Sequence, residues 1–505
     1  MKPDAPLRRP EETELKLALL HTGSPSHLEK RLARVPVLAR RKTTHQHLHN
    51  VYYDTPEWTL HRQRIALRMR HLSGEARPRW VQTLKIGGAS DSALSRRGEW
   101  EAAVPGTSLS QAALQTTPWS AIDPDGQVFQ ALAPVFITAF DRTSWLVRKR
   151  DGSQVEVSLD VGKITYADTS TPICELELEL IAGQPQALFD VALQIASSIA
   201  TLPLGASKAE RGYALAQDRA HAPTQAQPPA LTSRMPLQQA TLQVLREPVN
   251  QFTRNLNTLY ASENPEVLHQ ARIGWRRFRT ALWLFKPVHP GTAMPALQAL
   301  YPLLTFMGEL RDLDVARTET LVPWQQPYVA GDQRRAEKWQ ALEQALLQAG
   351  QLQRKAVRYA LEQPTVGVTL LALTQWLEDV ATLKAPAAPA KDHKKHLQRW
   401  ARRRMRRLHE QLQQALADTS RPDNLHRARL LAKRLRYGIE ALRPLLAPRT
   451  ARRWHQQAMK LQTRIGTARD RQRAAAVMAT LDVDRELMGF VRGWVAAQPG
   501  RHSTQ

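Results

Sequence analysis

The chain has 505 residues and carries 71 Lys and Arg against 46 Asp and Glu, a net charge of +25. That length suits two or three domains with sizeable cores. A single cysteine, Cys174, excludes an intrachain disulfide and any multi-cysteine metal site, and the absence of a clean 18-residue apolar run argues against membrane insertion. The charge is uneven: residues 1–220 hold 27 basic and 24 acidic side chains, residues 221–505 hold 44 and 22. A positive field gathered in one half should attract a polyanion, whether nucleic acid, polyphosphate or an acidic membrane surface. The polar start, Met1–Glu14, has no signal-peptide core, so a cytoplasmic protein is expected.

Near the start, Glu12-Thr13-Glu14-Leu15-Lys16-Leu17-Ala18-Leu19 alternates with period two. As a strand it sets Glu12, Glu14, Lys16 and Ala18 on one face and Thr13 with the leucines on the other. Carboxylates about 7 Å apart along one face suit a hard cation that bridges to an anion. An edge strand with solvated charges gives the same pattern. Ser26–Arg34 reads as a short helix, and Val51–Asp54 and Ile65–Arg70 as paired strands, the second presenting Arg68 and Arg70 together. Trp80–Lys85 ends in a lysine before Gly87-Gly88, and Glu99-Trp100-Glu101 repeats the acidic alternation. Asp151-Gly152 between Thr143–Arg150 and Gln154–Asp160 signals a hairpin. Asp160, in Asp-x-Gly, reads as a turn residue in preference to one that faces the tunnel. Gly162–Tyr166 then leads to Cys174–Leu180, with Glu175, Glu177 and Glu179 on one face. Many strands with both signs on one face imply a barrel with a charged lumen, which a triphosphate and its metal ions would compensate.

Six segments then resemble, in order, the motifs of CYTH domains, the triphosphate tunnel metalloenzymes. They are Glu12-x-Glu14-x-Lys16, Tyr52-Tyr53-Asp54-Thr55-Pro56, Ala66-Leu67-Arg68-Met69-Arg70, Gln82-Thr83-Leu84-Lys85, Glu175-Leu176-Glu177-Leu178-Glu179 and Ser207-Lys208-x-x-Arg211-Gly212-Tyr213. The resemblance covers residues 9–217. It implies an eight-stranded antiparallel tunnel that hydrolyses a triphosphate with Mg²⁺ or Mn²⁺. It implies that Glu12 and Glu14 hold metal, joined by a carboxylate from Glu175, Glu177 and Glu179. Lys16, Arg68, Arg70, Lys85, Arg142 and Lys208 would grip phosphate oxygens. Tyr53, Asp54 and Pro56 read as turn structure. The tunnel domain is expected over 1–217.

Residues 218–233 are proline-rich and polar, a linker. Beyond them an internal repeat appears. Leu268-His269-Gln270-Ala271-Arg272 recurs 157 residues later as Leu425-His426-Arg427-Ala428-Arg429, and Arg276–Arg279 as Lys433–Arg436. Gly308–Asp312 recurs 158 residues later as Gly466–Asp470. An all-α region over 234–495 is expected, as copies at about 234–385 and 390–495 joined by the Ala- and Pro-rich 384–391, with a tail at 496–505. His269, Arg272, Arg276 and Arg279 make one helical stripe, and His426, Arg429, Lys433 and Arg436 another. Neither stripe contains an acid, so like charges a turn apart call for an external polyanion. An ordinary basic surface helix is the plainer reading. Arg399, Arg402, Arg403, Arg404, Arg406 and Arg407 belt a further helix. Arg311-Asp312 and Arg469-Asp470 read as structural ion pairs.

The duplicated stripe resembles the CHAD domain, a histidine-bearing helical domain. That resemblance implies two four-helix units that bind inorganic polyphosphate, and the repeat holds no carboxylate cluster or nucleophile pair, so binding without chemistry is expected. Together the halves suggest an inorganic triphosphatase that docks on polyphosphate, with granule association as one consequence. Alternatives are turnover of thiamine triphosphate or ATP, with Trp58, Trp80 and Trp100 as clamps for the organic part, or binding without catalysis. Specific nucleic-acid recognition is not expected, because no aromatic residue is interleaved among the basic stripe positions.

Overall fold

The computed structural model describes residues 11–20, 25–73, 79–87, 92–286, 293–382, 390–418 and 422–497. The expected joiner at 384–391 and tail at 496–505 lie almost wholly outside the described residues. Two compact units emerge: 1–223 with 256–262 and 362–376, and 224–255 with 263–361 and 377–505.

The first unit is built on nine antiparallel strands: β1 (Glu11–Leu19), β2 (Thr43–Asp54), β3 (Ile65–Ser73), β4 (Arg79–Ile86), β5 (Leu94–Val104), β6 (Ala133–Arg148), β7 (Gln154–Tyr166), β8 (Thr169–Ala182) and β9 (Thr201–Pro203). Their order is β5-β4-β3-β2-β6-β7-β8-β1-β9. β1 closes the ring, pairing with β5 along Glu11–Leu15 and with β8 along Glu14–Ala18. The short β9 takes the remaining edge of β1 at Leu17–Leu19. An eight-stranded barrel results.

The barrel is inverted relative to an ordinary core. Leu15, Leu17, Leu19, Leu176 and Leu178 point outward, where α1 (Pro25–Leu32) and α2 (Gln186–Ala196) bury them under Leu28, Leu32, Leu188, Val191 and Ile195. Period-two alternation therefore sends the charged partners into the lumen. β6 and β7 run longer than the sequence suggests and meet at the Asp151-Gly152 turn, where Gly152 has φ +85. α3 (Lys208–Ala216) starts from Ser207 in a capping box with Glu210. Gly212 lets it close in, since a Cβ there would come within 2.1 Å of the Phe136 ring. Tyr213 donates to Asp54, which also accepts from the backbone of Thr55, Leu60 and His61. Asp54 thus clamps the turn, as its sequence context suggests.

The helical part of the chain comprises α4 (Leu237–Ala261), α5 (Pro265–Phe285), α6 (Tyr301–Val315), α7 (Val322–Val329), α8 (Gln333–Leu361), α9 (Pro364–Thr382), α10 (Ala390–Ala417), α11 (Pro422–Leu442), α12 (Pro448–Ala479) and α13 (Arg485–Ala497), with the end of α4 and residues 364–376 of α9 belonging to the first unit. α5 and α11 start and end 157 residues apart, so the sequence repeat is a repeat of helices. Each buries the apolar stripe beside its basic one: Leu268, Ala271, Phe278 and Phe285 in α5, Ala428, Leu435, Ile439 and Leu442 in α11. Trp275, which departs from the repeat, packs on Phe252 and Phe278 in the core.

Candidate functional site

Down the lumen, acid and base interlock. Lys16 Nζ lies 2.5 Å from Glu14, and Arg97 bridges Glu14 and Glu12, reaching Glu12 at 2.9 Å. Lys85 Nζ sits 3.0 Å from Glu12 and 2.7 Å from Glu99. Arg68 faces Glu99 and Glu101 at 3.5 and 3.6 Å. Apart from the exposed Glu101, these side chains are largely buried, an arrangement tolerated because opposite charges face each other.

At the α3 end the packing is tighter. Arg142 clamps Asp160 with two hydrogen bonds, of 2.7 and 2.6 Å, and reaches Glu177 at 2.5 Å. Lys208 Nζ lies 2.6 Å from Asp160, 2.6 Å from Glu175 and 3.0 Å from Glu177. Arg211 adds a 2.6 Å contact to Glu175. Burial disfavours the ionised form of Glu177, yet Lys208, Arg142 and Lys16 outweigh it and hold the carboxyl well below its usual range. Asp160, Glu175 and Glu177 bring three carboxylate oxygens within 4.8 Å of one another, a donor set suited to a hard cation. The Lys208 ammonium already lies against all three.

Compensation fails on two opposite walls. Glu179 of β8 is paired in register with Glu14 on one side and Glu156 on the other. Burial first, then Glu12 and Glu156, push its carboxyl up to about 7. Across the ring on β3, Arg70 donates to Asn50 Oδ1 at 2.8 Å and forms no ion pair among the described residues, Glu101 acting on it at longer range. Burial and the nearby Arg68 and Arg142 bring its guanidinium down to about 10. In an eight-strand ring with this order, β3 and β8 are diametrically opposed. Glu179 and Arg70 thus sit on opposite sides of the ring without a contact ion pair among the described residues, with Lys85 and Glu101 acting on them only at longer range. Glu12 and Glu14 beside it already hold Lys85, Arg97 and Lys16, so within this group Glu179 is the carboxylate that forms no ion pair among the described residues.

All the tunnel residues named from the sequence face this lumen or its α3 cap. One sequence reading is corrected. Asp160 is a fully buried member of β7, not a turn residue. Its Gly162 is required because a Cβ would press to 2.2 Å on the Ala139 carbonyl of β6. Arg97, Glu99, Glu101, Glu156 and Asn50 join the lumen without having been singled out as site residues; the alternation around Glu99 and Glu101 was the one visible signal. The tryptophans do not line it. Trp100 packs in the outer cluster of Leu60, Leu67 and Leu84, Trp80 lies tilted against His71 with ring centroids 4.8 Å apart, and Trp58 leans on Tyr213.

In the helical unit the two stripes converge. Lys433 of α11 feels Arg276 and Arg272 of α5 and Arg473 of α12; with burial, these cations bring it down to about 8. Burial together with Arg276 brings Arg272 down to about 10. Arg272 also lies over Gly308 of α6, whose missing side chain makes room for it. His269 is lowered by burial and Arg311. Arg279 and His426 are exposed at the stripe ends, with Arg429 half-buried. Arg436 differs: it donates to Glu440 at 3.0 Å. The expected Arg-Asp neighbours pair elsewhere, Asp312 with Arg473 and Arg311 with Glu319, because adjacent residues on a helix point about 100° apart.

Residues 11–213 match the CYTH domain model and residues 243–479 the CHAD domain model. The inorganic triphosphatase of Haemophilus influenzae is 34% identical over 218 residues, 41% of this chain and 55% of that protein. The chain thus spans about half the length of this curated relative. The CHAD domain from the plant Ricinus communis is 28% identical, covering 55% of this chain and 91% of that one, with a TM-score of 0.46. A Hippeastrum protein described as an adenylyl cyclase with a dominant triphosphatase activity is 19% identical, covering 40% and 95%, with a TM-score of 0.28.

Proposed function

For a chain that carries a CYTH domain over residues 11–213 and a CHAD domain over residues 243–479, we propose hydrolysis of inorganic triphosphate in the tunnel and binding of inorganic polyphosphate on the helical face. The division at 1–217 and 234–495, joined by 218–233, belongs to this reading, as does a cytoplasmic site of action near polyphosphate granules. The observation that carries it is the opposition of Glu179 and Glu156 on one side to Arg70 on the other, groups that form no contact ion pair among the described residues. A metal–triphosphate complex has the complementary halves.

Glu12, Glu14 and Glu179 would hold Mg²⁺ or Mn²⁺, with Glu175 and Glu177 engaged by Lys208. Such an ion supplies positive charge and an acidified water. Arg68, Lys85 and Lys16 would take phosphate oxygens by exchanging their present carboxylate partners for substrate, and Arg70 would take one directly. Arg142, fixed by Asp160, and Lys208 would hold the chain at the α3 end. Water adds to the terminal phosphorus, the bridging P–O bond breaks, and diphosphate leaves with its new negative charge met by buried arginines already in place. The placement of Trp58, Trp80 and Trp100 away from the lumen favours an inorganic substrate over a nucleotide or thiamine ester.

The test is phosphate release from tripolyphosphate, thiamine triphosphate, ATP and long-chain polyphosphate, each with Mg²⁺, Mn²⁺ or EDTA, beside Glu14→Gln. Metal-dependent turnover of tripolyphosphate that is lost in the variant is expected. A preference for an organic triphosphate would reassign the substrate. No turnover at all would leave a polyphosphate-binding protein.

A further inference from the structure

The arginine belt of α10 is not absorbed by the two stripes, and one part of it is built rather than merely exposed. Arg404 of α10 and Arg434 of α11 both stack on Trp283 of α5, their Cζ atoms 4.4 and 4.3 Å from the ring centroid. Arg404 also donates to the Trp283 carbonyl at 3.2 Å, while its buried Nε has no partner among the described residues. The charged neighbours acting on Arg404 are Arg407 and Arg434, and the one acting on Arg434 is Arg279. All are cations, and burial together with them lowers both guanidiniums. The electron-rich ring face offsets part of this repulsion and fixes the two side chains in place.

The cluster continues the first stripe. Arg272, Arg276, Arg279 and Trp283 follow at helical steps of four, three and four, and Arg434 adjoins Lys433 of the second stripe. From Arg272 to Trp283 the track runs about 16 Å along α5, longer than a triphosphate ion. We infer that Arg404 and Arg434, braced on Trp283, form a second anion subsite that takes the further phosphates of a long inorganic polyphosphate chain leaving the two stripes. This rests on the polyphosphate reading above and adds to it a basis for chain-length preference. A phosphate chain fits better than single-stranded nucleic acid, because the indole that could stack on a base is already engaged by guanidinium groups.

The test uses the full-length chain in EDTA with long-chain polyphosphate, titrated at several salt concentrations, and an oligothymidylate as the second probe. R404Q/R434Q is compared with R399Q/R403Q, which removes the same charge from exposed positions of α10, and with R272Q/K433Q in the stripes. Circular dichroism melts confirm folding of each. We expect R404Q/R434Q to weaken polyphosphate binding about tenfold or more and to reduce the salt slope by about two, with R399Q/R403Q changing affinity only about twofold. W283L, which keeps every charge, should also weaken binding. If R404Q/R434Q behaves like R399Q/R403Q while R272Q/K433Q loses binding, the subsite is refuted and the stripe reading survives. Wild-type chain that fails to bind polyphosphate refutes both. Tighter binding of the oligothymidylate, with a larger loss in R404Q/R434Q, refutes the phosphate-chain assignment.

Discussion

The tunnel and the helical face both concentrate cations, but they balance them differently. In the lumen most bases meet an acid: Lys16 with Glu14, Lys85 with Glu12 and Glu99, Arg142 with Asp160 and Glu177. Along the converging stripes Arg272, Arg276 and Lys433 press chiefly on one another. A site meant only to hold a polyanion needs one sign of charge. A site meant to break a phosphoanhydride needs carboxylates for a metal beside guanidiniums for the phosphates. The difference in pairing is therefore the difference in chemistry.

Removing a carboxylate from the metal wall should break the comparison most strongly. Glu14→Gln or Glu179→Gln is expected to lower kcat for tripolyphosphate by at least about 10²-fold, with polyphosphate binding retained, read by phosphate release and a binding titration. Next in size, Arg70→Gln should reduce kcat/KM by about 10²-fold or more, since a buried donor without a carboxylate partner is the one best prepared for substrate. Equal turnover in this variant would mean that the arginine wall serves the fold alone.

Two pH effects sharpen the contrast with opposite signs. Glu179, at about 7, must lose its proton to take a cation, so the metal concentration for half-maximal turnover should fall as pH rises from about 5.5 to 7.5 and then level off. In the metal-free chain the same group binds its proton more tightly folded than unfolded. Its contribution to stability is then present below pH 4.5 and lost as pH rises through 7. Lys433, at about 8, gains charge when an anion arrives. Polyphosphate binding should take up a proton near pH 8 and weaken as pH rises from 8 to 10, measured calorimetrically in buffers of different ionisation enthalpy.

Much of this was legible in the sequence, because strand and helix periods carry it. Glu12, Glu14 and Lys16, the Arg68 and Arg70 pair, and the three glutamates of β8 share faces by alternation alone. The 157-residue repeat located α5 and α11. What escaped depends on contacts between distant elements. Arg97 belongs to no pattern and reaches the lumen through the register of β5 on β1; Glu156 alternates with Val155 and Val157, but its neighbours across the sheet show only in the register of β7 on β8. Asp160 was hidden by the resemblance of Asp-x-Gly to a turn, although that glycine serves close strand approach. The pairing of Arg473 with Asp312 joins residues 161 apart, which local spacing cannot show.

The most direct test measures both activities on the same full-length preparations of wild type, E14Q and R272Q/K433Q. Tripolyphosphate turnover lost only in E14Q, with polyphosphate affinity lost only in R272Q/K433Q, is the predicted outcome. Loss of both activities in either variant, with the fold intact, would contradict the assignment of chemistry to the paired charges and of binding to the unpaired ones.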